Sequence, residues 1–259
     1  MKEIKYYKYH DRGIDVLTDK QHTHNDSFEI LHVKKGNGRI MINDRLYPLE
    51  SNAVYFVPPM FLHNSAPENC EEYIRSVANI SSSYLELLAS ATGVDGLLKK
   101  LCENICTVLD KSDSDFIDSE FKKLKSEEKS EISISIINIL SRLSKSEAIK
   151  YSLHNQITDI MEYLNKNLSV KISLDDICSE FHISKYYLCH IFKETTGTSI
   201  MNYILGQRIA LAKNLMINTD KSISEIAISS GFSCFSYFSR IFRSTEGISP
   251  REFRKKYML

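Results

Sequence analysis

The feature that most constrains the fold is a repeat in the last hundred residues of the chain. Residues 173–204 (SLDDICSEFHISKYYLCHIFKETTGTSIMNYI) align with residues 222–253 (SISEIAISSGFSCFSYFSRIFRSTEGISPREF). One extra residue in the second copy shifts the alignment part-way, so that Ser173 matches Ser222 and, after the shift, Phe192 matches Phe242. Self-similarity of this length indicates one supersecondary unit that is built twice.

Each copy has the same local signals. It opens with a capping-box pattern, Ser173 to Asp176 in the first copy and Ser222 to Glu225 in the second. A tight turn follows, and then a second helix that is aromatic and apolar on one side. Two short helices joined by such a turn predict a helix-turn-helix. A plain helical bundle with an accidental repeat is the alternative, and the matched caps, turns and aromatic residues argue against it.

The same region resembles a known family. The run GFSCFSYFSRIFRSTEGISPREFRKKY at Gly231–Tyr257 and the run ISKYYLCHIFKETTG in the first copy are similar to the DNA-binding domain of AraC/XylS-type transcription regulators. This resemblance implies two helix-turn-helix subdomains joined by one long helix, about Ser199–Ile217. A rigid joint would place both recognition helices in successive major-groove segments, about 34 Å apart on one DNA face.

The resemblance also implies which residues read bases. In the first recognition helix, expected to begin at Ser184, they are Tyr186, Cys189 and His190. In the second, expected to begin at Ser233, they are Ser236, Tyr237 and Arg240. Helical spacing places each set on one face. The opposite face is expected to be core, and it carries Leu188, Ile191, Phe192, Phe238, Ile241 and Phe242.

Chemistry ranks these candidates. Arg240 is the best candidate for direct readout, because arginine donates two hydrogen bonds to guanine O6 and N7; a phosphate contact is its alternative. Cys189 hydrogen-bonds weakly and a neutral His190 offers one donor and one acceptor, so the first helix is expected to rely more on apolar contacts, for instance with thymine methyl groups. Phosphate contacts that set the register are expected from the remaining basic residues of the two helices. These are Lys185, Lys193 and Arg243.

The amino-terminal part predicts strands. FEILHV, RIMI, RLYPL and AVYFV are short apolar runs within residues 28–63, and the second and third flank the hairpin signal Asn43 and Asp44. Pro58 and Pro59 end the last run. Short strands at close spacing predict a small antiparallel barrel or sandwich.

A histidine pattern overlaps these strands and resembles the two cupin motifs over about 45 residues. It comprises His22, His24, Glu29, Gly36, Pro58 and His63. In metal-binding cupins the three histidines and the glutamate would be ligands, a set that suits Fe, Mn, Ni or Zn. Asn52 and Met60 stand where the second motif has glycines. Cupin-like domains of AraC-type regulators commonly sense a small molecule, so we expect an effector pocket lined by His22, His24, Glu29 and His63. A metal centre and a purely structural barrel remain alternatives, and no cofactor is predicted.

Helices are predicted from about Tyr84, over residues 84–109 and 121–145, with a polar loop at 111–116 between them. Cys102 and Cys106 would then lie one helical turn apart, as buried apolar residues or as a redox pair. A stripe of apolar residues in the second helix is expected to pack on the barrel or against a second copy, and it motivates a predicted homodimer. The stripe is formed by Ile132, Ile136, Ile139, Leu140 and Leu143.

Together these patterns predict an α+β protein. Residues 1–82 are expected to form a cupin-like β-barrel for effector sensing, residues 83–153 a helical dimerisation region, and residues 154–259 an all-α DNA-binding domain. The 33 Lys and Arg balance 33 Asp and Glu, with a small basic excess in the last domain. No apolar run of membrane length and no signal peptide is recognised. The six cysteines form no CxxC pair and are expected to be reduced thiols in a cytoplasmic protein.

Two classes of function fit a chain of this kind. The first is a ligand-responsive, sequence-specific transcription regulator whose partners are double-stranded promoter or operator DNA, an unidentified small-molecule effector and RNA polymerase. The second is a cupin metal-dependent enzyme with a helical appendage. An enzyme has no need of two matched groove-reading helices, so we predict a regulator that is not an enzyme. Activation and repression of transcription both fit this pattern.

Overall fold

The computed structural model describes residues 7–13, 21–69, 72–93, 95–146 and 156–257. The chain divides into two compact units, one of residues 1–42 and 46–153, the other of residues 43–45 and 154–259. The first unit is β-rich with helices and the second is helical, which confirms the predicted α+β class. The expected boundary at 153 and the first residues of the chain lie outside the described residues, as does Cys70.

The strands of the first unit form two antiparallel sheets. They are β1 (Tyr7–Gly13), β2 (Ser27–Lys35), β3 (Gly38–Ile42), β4 (Arg45–Leu49), β5 (Ala53–Val57), β6 (His63–Pro67), β7 (Ile74–Ser81) and β8 (Cys106–Val108). The larger sheet has the order β1-β7-β2-β5-β8 and the smaller has the order β4-β3-β6. The four predicted strands are β2 to β5. The predicted hairpin between β3 and β4 is present, with Asn43 at a φ of 57°.

The larger sheet is covered on both faces. Side chains alternate along a strand, so Phe28 and Ile30 of β2 pack with the helices of the unit. Leu31 and Val33 pack in a second cluster, with residues of β3 and β4. Burial on both faces explains why the sequences of β2 and β5 are almost continuous apolar runs.

The helices of this unit differ from the prediction in their bounds. They are α1 (Ser82–Thr92), α2 (Asp95–Glu103), α3 (Lys111–Lys123) and α4 (Lys129–Lys145). The predicted single helix over 84–109 is wrong, because α1 ends at Gly93 in a left-handed conformation and residues 106–108 form β8. The predicted loop at 111–116 is also wrong: Asp110 caps α3 by accepting a hydrogen bond of 2.7 Å from the Asp113 amide.

The observed helix bounds contradict two further predictions. Cys102 lies in α2 and Cys106 in β8, so they are not neighbours on one helix. The helix predicted over 121–145 is two helices, because α3 ends at Lys123 and α4 starts at Lys129. The five described cysteines are free thiols.

The apolar stripe of α4 is buried inside the unit. All five of its residues belong to one core cluster with the outer face of the larger sheet, and their exposure is 6% or less. The stripe therefore packs on the barrel, which was one of the two expected partners. A homodimer formed through these side chains is ruled out, because they are already covered by their own chain.

This packing predicts a sharp contrast within α4. Ile136→Ala should lower the free energy of unfolding by about 2–5 kcal/mol, because Ile136 is fully buried and truncation leaves a cavity. Ile134→Ala is the matched control: Ile134 is 58% exposed on the same helix and should change stability by no more than about 0.5 kcal/mol. Urea denaturation of both variants measures the difference, and equal losses would contradict the assigned packing.

The second unit consists of seven helices within its described residues. They are α5 (Gln156–Lys166), α6 (Leu174–Phe181), α7 (Lys185–Thr196), α8 (Ile200–Asn218), α9 (Ile223–Ser229), α10 (Phe235–Glu246) and α11 (Pro250–Tyr257). Both predicted capping boxes form, at Ser173 and Ser222. The long helix α8 matches the predicted joint. The first recognition helix, α7, is capped by Ser184 as predicted, but the second, α10, is preceded by Cys234 instead of Ser233.

Helix α8 packs with helices of both repeats. Its Arg208 donates hydrogen bonds to the carbonyl oxygens of Leu168, at 2.9 Å, and Val170, at 2.7 Å, ahead of the first helix-turn-helix. Its Lys213 forms a buried ion pair of 2.9 Å with Glu246 at the end of α10. Helix α7 also packs against α8, so both recognition helices are attached to one common helix. None of the helices in the described part of the chain combines the length and apolar character that crossing a membrane requires.

Gly231, in the second helix-turn-helix, allows a close backbone approach. Its φ is +85°, and a Cβ added at this position would lie 2.0 Å from the Leu168 carbonyl oxygen. Gly247, at a φ of +76°, has nothing within 4 Å of such a Cβ. Gly247→Ala should therefore lower the free energy of unfolding only by the cost of the left-handed conformation, about 1–2 kcal/mol. Gly231→Ala should lower the free energy of unfolding by roughly 1–3 kcal/mol more, because its Cβ would also clash with the backbone. Thermal unfolding compares the two variants, and a smaller loss in Gly231→Ala would refute this explanation.

Candidate functional sites

The first recognition helix presents its expected base-reading residues to solvent. Tyr186 is 82% exposed, and Cys189 and His190 are exposed as well. The rings of Tyr186 and His190 lie nearly parallel, with centroids 6.1 Å apart. Glu194 was not expected from the sequence to take part, yet its carboxylate lies 3.7 Å from His190 Nε2. The spacing of four residues between them is the signal that would have found this pair.

The second recognition helix presents a more cationic surface. Ser236 and Arg240 are exposed and Tyr237 is half-buried. The Arg240 guanidinium lies 5.5 Å from the centroid of the Tyr237 ring, a cation–π geometry that limits where the arginine points. The exposed Cys234, which was not among the residues expected from the sequence, begins this surface, and the neighbouring Ser236 hydroxyl holds the pKa of its thiol below the usual value.

The basic residues expected at phosphates are all exposed. Lys193 and Arg243 occupy equivalent positions near the ends of α7 and α10. Lys185 differs, because its ammonium group forms an ion pair of 2.8 Å with Asp175. Beneath these surfaces the expected core side chains are fully buried at four positions, Leu188, Phe192, Phe238 and Phe242. Ile191 and Ile241 are half-buried.

The expected effector residues of the first unit come together. One ligand atom from each of His22, His24, Glu29 and His63 lies within 4.8 Å of all the others. Glu29 faces the inner side of the larger sheet, on the same face of β2 as Leu31 and Val33. His63 opens β6 of the smaller sheet. The cluster therefore connects residues of both sheets.

Backbone hydrogen bonds hold the histidines in place. His22 and His63 form an isolated β-bridge, with N–H···O distances of 3.1 and 2.9 Å. The Met60 amide donates to the His24 carbonyl oxygen at 2.7 Å. Met60 and Asn52 have φ values of 69° and 64°, so both keep the left-handed conformation that suits the motif glycines they replace.

The side chains of the cluster centre on Glu29. His24 Nε2 lies 2.8 Å from one carboxylate oxygen and His63 Nε2 lies 3.4 Å from the other. Glu29 is buried; desolvation raises its pKa, but the charges and hydrogen bonds of His63 and His24 outweigh it and hold the pKa well below the usual value. The cluster therefore presents a carboxylate at neutral pH.

Comparison with known proteins decides what these units are. A family model described as an AraC-like ligand binding domain matches residues 5–105, and one described as a helix-turn-helix domain matches residues 177–256. The chain belongs to the AraC family of transcription regulators. It is a DNA-binding regulator with a ligand-binding domain, as predicted, and the alternative of a cupin enzyme finds no support.

Curated relatives extend over nearly the whole chain. YfiF of Bacillus subtilis (strain 168), named an uncharacterized HTH-type transcriptional regulator, is 26% identical over 99% of this chain and 85% of its own length. YdiP of Escherichia coli (strain K12), with the same description, is 25% identical over 91% of this chain and 81% of its own length. RhaR of Cronobacter sakazakii (strain ATCC BAA-894), named an HTH-type transcriptional activator, is 25% identical over 92% of this chain and 87% of its own length.

Proposed function

We propose that this AraC-family regulator reads promoter or operator DNA with the exposed faces of α7 and α10. One observation supports the proposal: the six residues expected to read bases lie on the outward faces of two helices whose opposite faces are buried. Helix α7 packs against α8, and α10 is joined to α8 by the ion pair between Lys213 and Glu246. A pair of groove-reading helices on one support fits two successive major-groove segments.

The two helices read DNA by different means. On α10, Arg240 donates to guanine O6 and N7, and the Tyr237 ring below it reduces the number of conformations lost on binding. On α7, the paired rings of Tyr186 and His190 offer an apolar edge for thymine methyl groups. Lys193 and Arg243 contact phosphates and set the register. Lys185 reaches a phosphate only after its ion pair with Asp175 opens.

The first unit supplies control. We propose that a small effector binds at the histidine cluster and shifts the equilibrium between forms of the protein with different affinity for DNA. The chain acts by binding in the cytoplasm, without catalysis, as a homodimer whose interface excludes the buried stripe of α4. Because the relative RhaR is named a transcriptional activator, we propose activation of transcription with RNA polymerase as the partner.

Substitution of Arg240 tests the reading surface. The probe is the highest-affinity duplex selected from a random library with the full-length protein. Arg240→Ala should weaken binding to this duplex by about 1–3 kcal/mol and relax the preference at one base pair. The matched control on the same helix is Arg243→Ala, which should weaken binding to selected and random duplexes alike. On α7, Lys193→Ala should likewise weaken binding to selected and random duplexes alike.

Binding isotherms at fixed salt measure both effects. If Arg240→Ala loses the same affinity for random and for selected DNA, its side chain contacts phosphate only. If neither Arg240→Ala nor Arg243→Ala changes binding, the proposed DNA surface is wrong.

A further inference from the structure

We propose that His22, His24, Glu29 and His63 bind one divalent transition-metal ion, and that this ion is the effector. Only the claim that the ion is the effector rests on the proposed function, because metal binding itself is measured without DNA. Three elements of the first unit converge at the cluster: the segment at 22–24, β2 and β6.

The distances suit a single ion. Metal–nitrogen and metal–oxygen bonds to such ligands are about 2.0–2.2 Å. Two ligand atoms on opposite sides of an ion are therefore about 4.2 Å apart, and adjacent ones are closer. The four atoms in the cluster lie within 4.8 Å of one another. Closing these separations to about 3.4–4.2 Å, the range from tetrahedral to opposite ligand positions, brings all four atoms into bonding range.

The donor set selects the class of ion. Three imidazoles and one carboxylate favour Zn, Fe, Mn or Ni. Calcium and magnesium prefer sites made of oxygen atoms alone. When the histidines bind an ion they do so as neutral imidazoles, so the buried Glu29 carboxylate then needs another positive charge to compensate for its lost hydration. A dication supplies it.

The histidines are already oriented for this role. His63 Nδ1 lies 2.9 Å from the Phe61 carbonyl oxygen and donates its proton there, which leaves Nε2 aimed at Glu29. Ligating histidines typically donate their second nitrogen to such an acceptor. His22 is fixed by its β-bridge to His63, and His24 by the Met60 amide. The backbone, not the ion, positions the residues that carry the rings.

The surroundings favour an ion over a larger organic ligand. The inner faces of both sheets are filled by a cluster of side chains that are at most 8% exposed. Glu29 and His63 are buried, whereas His22 and His24 are half-exposed. An ion has an entrance past these two histidines and needs only the space between four ligand atoms.

Ion binding would join the two sheets. Glu29 belongs to the five-stranded sheet and His63 to the three-stranded sheet. A bond to each from one ion stabilises the arrangement in which the sheets are held together at this end. An effector acts only through such a difference in affinity between two arrangements.

Metal content of the full-length protein tests the site. After removal of metal with a chelator, titration with Zn²⁺ and separately with Co²⁺ is expected to give one equivalent bound per chain. For Co²⁺, visible absorption bands should report nitrogen and oxygen ligands. Glu29→Gln and His24→Gln should each reduce the affinity at least tenfold. The control His182→Asn changes an exposed histidine outside the cluster, at a φ of 52° that asparagine accepts, and should keep the full equivalent.

Circular dichroism confirms that each variant is folded, and two conservative variants keep the test valid if one fails. No stoichiometric binding by the unchanged protein, or undiminished binding by both Glu29→Gln and His24→Gln, would overturn the site. DNA affinity of the unchanged protein for the selected duplex, with and without Zn²⁺, Mn²⁺, Ni²⁺ or Fe²⁺, tests the effector role.

A change in DNA affinity of at least fivefold with one of these ions, absent in Glu29→Gln, is expected. Unchanged affinity with all four ions overturns the effector role. Such a result would leave the Arg240 outcome untouched, so the failure of this inference and the failure of the proposed DNA surface are distinguishable.

Discussion

The packing of aromatic and aliphatic side chains beneath α7 and α10 supports the rest of the DNA-binding unit. Leu188, Phe192, Phe238 and Phe242 are fully buried, while the residues on the other side of the same helices face solvent. A helix divided in this way has only one orientation on its core. The ion pair between Lys213 and Glu246 adds a constraint at the end of α10, because breaking a buried pair leaves one charge without compensation. The exposed residues on these helices are therefore held in place by the packing of their own chain.

The second unit could be predicted from sequence because its signals are local. A capping box needs residues three positions apart, and those at Ser173 and Ser222 form as expected. The missed start of α10 has a local cause too. Ser233 suits the capping position by composition, but the one-residue insertion moves the equivalent of Ser184 to Cys234, whose side chain makes no capping hydrogen bond. Residue type alone favoured Ser233, which is the better capping residue, over Cys234.

The first unit was predicted less completely because its structure depends on distant partners. Strands β6, β7 and β8 have mixed composition and are defined by their pairing with β3, β2 and β5. Helix α3 begins with polar residues, yet its Ser114 is buried, where its hydroxyl donates to Asn52 at 2.9 Å and lies 3.1 Å from His32 Nε2. The stripe of α4 shows the general limit: periodicity reveals that one face is buried, but not which surface buries it.

The histidine cluster depends both on local sequence signals and on distant partners. Its residue types and spacing could be recognised from a motif, whereas its closure depends on the β-bridge of His22 and on the left-handed turn at Met60. A non-glycine residue at such a φ is under strain of about 1–3 kcal/mol, which persists only where the surrounding structure holds it. Here the Met60 amide bonds to the His24 carbonyl oxygen, so the strained turn is tied to a residue of the cluster. A ligand bound by both His24 and His63 would therefore constrain this turn as well as the two sheets. In this way a small ion at one end of the unit would affect the position of the strands that bind it.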